Sequence, residues 1–330
     1  MARVLTLGEL LIDFVPDRTG VTVADAERFV KAAGGAPANV AVGVARLGVA
    51  SGFVGKVGDD AFGHWLAGVL RDAGVDVAQL RFDATARTAL AFVSLDADGE
   101  RDFLFYRHPS ADQLHRSEDL DREALAHADV LHHGSISLIQ EPSRSATLDA
   151  IDAARAGGAT ISYDPNLRLA LWPDADAARA GIRSVWDRAH VIKVAEDELA
   201  FLTGGTDADA ARTLWHDDLA LLVVTRGAAG VDWFTPNDAG HVPGVRVTPV
   251  DTTGAGDAFV AALLAAWSEN ADLAGDRAAL EAALYGANAY AALTTTQPGA
   301  IPALPDRATW SAFLDAASSG VDDGRPEASG

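Results

Sequence analysis

The chain predicts an α/β fold: a mostly parallel sheet flanked by helices, with a small β layer beside it. Three observations point there. Short apolar runs alternate with alanine-rich segments through most of the 330 residues, a βαβ rhythm that requires parallel strands. One segment, 83–107, breaks that rhythm with two β-rich runs flanking "DADGE", the signature of a hairpin. The apolar runs end repeatedly in polar loops, as strands do at the ligand-binding edge of an open sheet.

The elements follow in order. "RVLTLGELLIDFVP" predicts a buried first strand that leaves through acidic positions, and "APANVAVGVARLG" a helix whose small residues allow close packing on the sheet. "SGFVGKVGDDAFG" gives a strand and a glycine-rich turn, and "HWLAGVLRDAG" a second helix. The hairpin of 83–107 stands outside the alternation, so it is expected to form a β layer covering a site at the sheet's edge. Alternation resumes at "ADVLHHGSIS" and runs through "TISYDPN", "AHVIKVAEDELAFLTG" and "LALLVVTRGAAGVDWFT". The strand ends place 164–168, 193–198 and 225–230 at the ligand edge. "GDAFVAALLAAWSEN" and "RAALEAALYGANAYAALTTTQPGAIP" are helical and then proline-punctuated, and the tail 319–330 is expected to be disordered.

Composition narrows the function. The 26 basic residues against 47 acidic ones give a net charge of -21, which repels a nucleic-acid backbone, and no Lys/Arg cluster offsets it. An anionic substrate would therefore have to be met by a few locally concentrated cations. With no cysteine, disulfides, thiolate metal sites and cysteine nucleophiles are excluded together. No apolar span of 18 residues occurs, and the expectation is a cytoplasmic protein without a membrane anchor.

The densest chemical signal is "VDTTGAGDAF", residues 250–259. Gly254 and Gly256 permit close backbone approach, and the alanine-rich run after them is a helix. Its first amides and its dipole make an anion site. Asp257 would repel that anion. It is either a good residue for a helix start or the acceptor of a proton. Phosphoryl transfer needs such a pair: donors for the charge on the transferred group, and a carboxylate for the proton of the attacking hydroxyl. The dipole is expected to keep that carboxylate's pKa low, which a loose transition state tolerates. The spacing is neither a Walker A loop nor the dinucleotide fingerprint.

From "GELLID" to "GAIPALP" the chain resembles the PfkB, or ribokinase-like, carbohydrate kinases, and looks closest to fructokinases. The motifs that carry this are "GGAPANVAVGVARLGVASGFVGKVGDDAFG" (34–63) and "DTTGAGDAF" (251–259), with "FLFYRHPSAD", "HHGSISL", "DPNLRLALW" and "DELAFLTG" between them. The resemblance implies a Rossmann-like domain over 1–318 with helices on both faces, and a β lid from about 10–33 and 83–110 inserted into it. It implies that Asp257 takes a proton from a sugar hydroxyl and that the amides of Gly254, Ala255 and Gly256 form an anion hole. Asp13, Gly34, Gly35 and Asn39 match the sugar-contacting region, and Arg107 and Arg168 match positions that meet substrate or phosphate.

On the nucleotide side the resemblance assigns Thr225, Gly227, Gly230 and Asn288 to ATP, and Lys193 to its phosphates. Glu198 would organise Mg²⁺ through water, although Ala195 stands where the family motif has Asn. Asp251 and Thr253 match ligands of a monovalent cation, K⁺, with the backbone around Thr294, Gln297 and Gly299 supplying others and Ala303 replacing a hydroxyl. The expected activity is ATP-dependent phosphorylation of D-fructose to fructose 6-phosphate. A 2-keto-3-deoxygluconate kinase is the alternative, since an acidic sugar would give both arginines a carboxylate to hold. A kinase-like binding protein without chemistry is the reading from another class. The lid implies a homodimer.

Overall fold

The computed structural model describes residues 3–18, 20–95 and 101–319. The strands are β1 (Val4–Leu7), β2 (Leu11–Pro16), β3 (Phe29–Gly34), β4 (Ser51–Gly58), β5 (Leu80–Asp83), β6 (Leu90–Leu95), β7 (Arg101–Tyr106), β8 (Val130–His133), β9 (Thr160–Tyr163), β10 (Val191–Ala195), β11 (Leu221–Thr225), β12 (Gly230–Phe234) and β13 (Ala239–Pro243). Nine of them form one sheet in the order β13-β12-β11-β10-β9-β8-β1-β4-β5. Its pairs are parallel from β11 to β5, and β12 and β13 add antiparallel at the far edge. The remaining four, β3-β2-β6-β7, form a separate sheet.

The continuous apolar runs of the parallel strands follow from burial on both faces. Val4, Val191 and Leu221 pack into one core cluster, while their neighbours Leu5, Ile192 and Leu222 pack into the other. Helices α1 (Ala36–Arg46) and α2 (Ala61–Asp72) are followed by α3 (Arg122–Ala126), α4 (Ser143–Ala156), α5 (Ala175–Arg183), α6 (Glu196–Thr203) and α7 (Ala208–Arg212). The last are α8 (Ala255–Glu269), α9 (Arg277–Thr294) and α10 (Arg307–Ser319). Residues of α1, α2, α8 and α9 build the first cluster, and those of α4 to α7 the second. Helix α8 is buried along most of its length, so its alanines serve close packing: a Cβ on Gly43 of α1 would lie 2.5 Å from that of Ala261.

The predicted α/β sheet and its accessory β layer are both present. The runs around "DADGE" are β6 and β7, paired antiparallel from Leu90–Tyr106 to Leu95–Arg101, while residues 96–100 lie outside the described ones. Of the tail, 320–330 likewise lie outside them. No helix among the described residues is long and apolar enough to cross a membrane. The second sheet adds β2 and β3 to the hairpin, and this joining of 11–34 to 90–106 places the lid over the switch point between β1 and β8.

Two histidines at the end of β8 are sealed in the core. Burial holds the imidazole of His132 neutral down to about 3 and that of His133 down to about 4. His133 stacks on Tyr163 with ring centroids 4.7 Å apart, and its Nε2 has no hydrogen-bond partner. Both folded pKa values lie below the unfolded value, so the unfolded chain binds more protons between about pH 4 and 6.5. Stability from these groups is therefore present near pH 7 and is lost as pH falls through that window. Buried Glu9 and Asp257, with raised pKa values, act in the opposite direction. The measurement is accordingly a difference: the loss in urea midpoint from pH 7 to pH 5 should be smaller in His133→Phe than in the parent.

Candidate active site

The turn before α8 lies between two clefts at the carboxyl edge of the sheet. Gly254 and Asp257 line one, under the lid, together with Asp13, Gly35, Asn39 and Arg168. Thr252, Ala255 and Gly256 line the other, with Thr225, Gly227, Gly230 and Asn288. Gly254 caps α8 at φ 77, a left-handed backbone, and a Cβ there would meet that of Ala300 at 2.8 Å. The N–H groups of Gly254 and Gly256 donate to no acceptor among the described residues, whereas Ala255 N–H donates over 3.3 Å to the carbonyl of Thr252. Gly254 and Gly256 thus present two unengaged amides at this turn.

Asp257 is buried, 8% exposed, at the start of α8. Its Oδ2 accepts from Asn39 Nδ2 at 2.7 Å, and its Oδ1 from Asn166 Nδ2 at 3.4 Å. Burial raises its pKa to about 6, against the Asn39 hydrogen bond and the charges of Arg168 and Lys193. This corrects the expectation that the helix dipole would hold it low: desolvation of the carboxylate outweighs the dipole.

Asn39 reaches Asp257 because α1 starts directly from the lid. Strand β3 ends at Gly34 and α1 begins at Ala36, with Gly35 (φ 109) between them. A Cβ on Gly34 would fall 2.1 Å from Asp13 Oδ2, so the missing side chain makes room for that carboxylate. Glu9 lines the same cleft, and its Oε1 accepts from Ala36 N–H at 3.1 Å, securing the start of α1. Burial raises the Glu9 pKa to about 7 despite the nearby Arg107. The sequence reading passed over Glu9, although its place just past β1 at the ligand edge marks it out.

Three predicted residues stand elsewhere than expected. Arg107 is 4% exposed, paired with Asp112, and lines a small cavity beside Glu9; it does not line the cleft under the lid. Burial required the guanidinium to find a carboxylate, and Asp112, five residues on, supplies it. Lys193 lines neither cleft: its Nζ donates to Asp164 Oδ2 at 3.0 Å and lies beneath Gly256. Its pKa is raised because Asp164 and Glu198 outweigh its burial. Glu198 is also buried, and its two oxygens accept from Leu167 N–H at 2.6 Å and Ala195 N–H at 2.8 Å. It clamps the loop after β9 and the start of α6, and burial raises its pKa. Among the described residues no group of three His, Cys, Asp or Glu side chains gathers as a metal cage.

Asn288 lines the second cleft, with its Nδ2 donating to the carbonyls of Val242 and Pro243, 3.2 and 3.1 Å away. Asp251 ties the central turn to the segment after α9: Oδ1 accepts from Thr253 N–H at 2.9 Å and Oδ2 from Gly299 N–H at 2.8 Å. Sequence reasoning missed Asn166, whose "DPN" setting after β9 was visible, and the lid residues Val93 and Phe105, which line the cleft under the lid.

With this geometry in place, comparison with known proteins is specific. Residues 1–307 match the model of the pfkB family carbohydrate kinases. The chain is 53% identical over 304 residues to probable fructokinase-4 of Arabidopsis thaliana, covering 92% of this chain and 93% of that one. It is 54% identical over 304 residues to fructokinase-1 of rice, Oryza sativa subsp. japonica, covering 92% and 94%. Among solved structures, the fructokinase of Xylella fastidiosa with bound ATP superposes with a TM-score of 0.86 at 35% identity, covering 96% and 100% of the two chains. A double mutant of Vibrio cholerae O395 fructokinase, bound to fructose, ADP and potassium, gives 0.84 at 40% identity, covering 95% and 98%.

Proposed function

Because the chain belongs to the pfkB family of carbohydrate kinases, we propose that it phosphorylates D-fructose at the expense of ATP, giving fructose 6-phosphate and ADP. The observation that carries this is the turn shared by the two clefts, with Asp257 facing one and Ala255–Gly256 the other. Fructose bound to a related fructokinase, and ATP bound to another, support one ligand for each cleft. In this reading the sugar lies under the lid against Asp13, Gly35 and Asn39. The sugar hydroxyl oxygen attacks the γ-phosphorus, the bond to the β–γ bridging oxygen breaks, and Asp257 takes the hydroxyl proton. The amides of Gly254 and Gly256 meet the charge on the transferred group. Lid closure over Val93 and Phe105 excludes water, the competing acceptor.

A neutral sugar fits better than an acidic one. Arg107, the second arginine an acidic sugar would need, is committed to Asp112 outside the sugar-side cleft. A substrate carboxylate would therefore lack that second guanidinium to hold it. An ADP-release assay over D-fructose, 2-keto-3-deoxygluconate, ribose and adenosine tests this. Turnover is expected on fructose; preference for 2-keto-3-deoxygluconate, or no turnover on any of them, would overturn it.

We propose that magnesium arrives on the nucleotide's phosphates, as the protein gathers no cage for it among the described residues. We propose that Asp251, whose Oδ2 accepts from Gly299 N–H, and the backbone of 294–299 beside it hold a potassium ion, an ion that the related Vibrio structure contains. The lid supports self-association, since Val30, Leu104 and Tyr106 are 60%, 45% and 59% exposed on an open four-stranded layer. Light scattering should give twice the mass of one chain, and a monomer at all concentrations would refute the dimer.

A further inference from the structure

The loop after β9 is fixed at four successive residues by three different elements. Asp164 N–H donates to the carbonyl of His133 at 3.2 Å, and Asp164 Oδ2 accepts from Lys193 at 3.0 Å. The Pro165 carbonyl accepts from Ser135 through both its N–H, at 3.2 Å, and its hydroxyl, at 2.6 Å. Asn166 N–H donates to Asp164 Oδ1 at 3.0 Å, and Leu167 N–H to Glu198 Oε1 at 2.6 Å. Within this frame Asn166 adopts φ 43, the one left-handed non-glycine residue among those described. A strained conformation at a cleft, imposed from every side, is the pattern found where a side chain must be held at a fixed place.

That side chain lines the sugar-side cleft and meets Asp257. A carboxylate can only accept, so the amide nitrogen faces it. Asn39 holds one oxygen of Asp257 from the lid side, and Asn166 approaches the other from the sheet. We propose that Asn166 is a positioning residue for phosphoryl transfer, one of two amides that fix the plane of the Asp257 carboxylate, and that the buried Lys193–Asp164–Glu198 frame serves to present it.

The inference rests on the reading of Asp257 as the base. The Asn39 donor also opposes the rise in pKa that burial imposes on this group. Among the described residues, the titratable groups facing Asp257 are Asp164 and Arg168 from the same loop and Lys193 from β10, with Glu9, Asp13 and Asp251 across the cleft. Loss of the Asn166 donor leaves all of these in place.

The test uses steady-state kinetics with fructose and ATP, plus thermal unfolding, on three variants of the full chain. Asn166→Gly keeps the left-handed backbone at no steric cost and removes only the amide. Its melting temperature should stay at or above the parent's, KM for fructose should change by less than about threefold, and kcat should fall by about 10- to 100-fold. Asn166→Asp keeps size and turn chemistry but sets a carboxylate against Asp257. The acid limb of its kcat/KM profile should move up by about one pH unit or more, a shift that a purely structural role would not produce. A kcat within twofold of the parent in the glycine variant, or an unmoved acid limb in the aspartate variant, overturns the proposal. Should glycine lower the melting temperature, the aspartate variant decides. If Asp257→Asn retained near-normal turnover, the base assignment would fall and this proposal with it. An inactive Asp257→Asn beside an unaffected Asn166 pair would overturn only the role given to Asn166.

Discussion

Asp257→Asn is expected to lower kcat by about 10²–10⁴-fold while leaving ATP affinity close to that of the parent. The amide keeps the size of the carboxylate and still fits the start of α8, so the fold is expected to survive. What is lost is the lone pair that receives the hydroxyl proton, a transition-state loss of about 3–5 kcal/mol. The parent's own pH profile carries a linked expectation. With its pKa raised to about 6 by burial, Asp257 is ionised above that value and protonated below it, so kcat/KM should fall by about one decade per unit below roughly pH 6. Near-parental turnover in the asparagine variant, measured by ADP release and by isothermal titration with ATP, would reduce Asp257 to a helix-start residue.

Lys193→Met should be the most damaging substitution for stability, at about 3–5 kcal/mol. Lys193, Asp164 and Glu198 are 7%, 3% and 6% exposed, so removal of the cation leaves two carboxyl groups in the core with no counter-charge. The accompanying substitution Asp164→Asn should restore part of the loss, since it removes one of those charges, and urea unfolding of the single and double variants measures the coupling. Equal midpoints for parent and Lys193→Met would show that the ion pair adds nothing. The same experiment bears on the position first expected for Lys193 at the nucleotide phosphates. A residue with that role would raise KM for ATP on removal without costing several kcal/mol of stability.

Much of this molecule could be read before its structure. The parallel sheet was legible because its strands are apolar on both faces, and the lid because "DADGE" between β-rich runs interrupts the alternation. The turn "TTGAGD" was legible because glycines, a helix start and an acid coincide in six residues. Less visible was whatever depends on the partner of a buried charge. Arg107, Lys193 and Glu198 look in the sequence like groups for ligands, yet Asp112, Asp164 and backbone amides take them up, and pairing across 29 residues leaves no periodic trace. Asn166 was overlooked for a related reason: its significance lies in a backbone angle and in a contact spanning 91 residues. The raised pKa of Asp257 also follows from how deeply α8 is set into the core, which sequence alone does not measure.

One residue, Gly35, separates lid strand β3 from the helix that carries Asn39. The lid and Asn39, which holds Asp257, therefore share a joint with almost no slack. When β3 rises or settles, the displacement has a single residue in which to dissipate before it reaches α1, and Asn39 sits in that helix's first turn. On the proposed reading of Asp257 as the base, sugar capture and alignment of the carboxylate become one mechanical event, and a phosphate donor that arrives first would meet a base whose alignment still depends on the sugar.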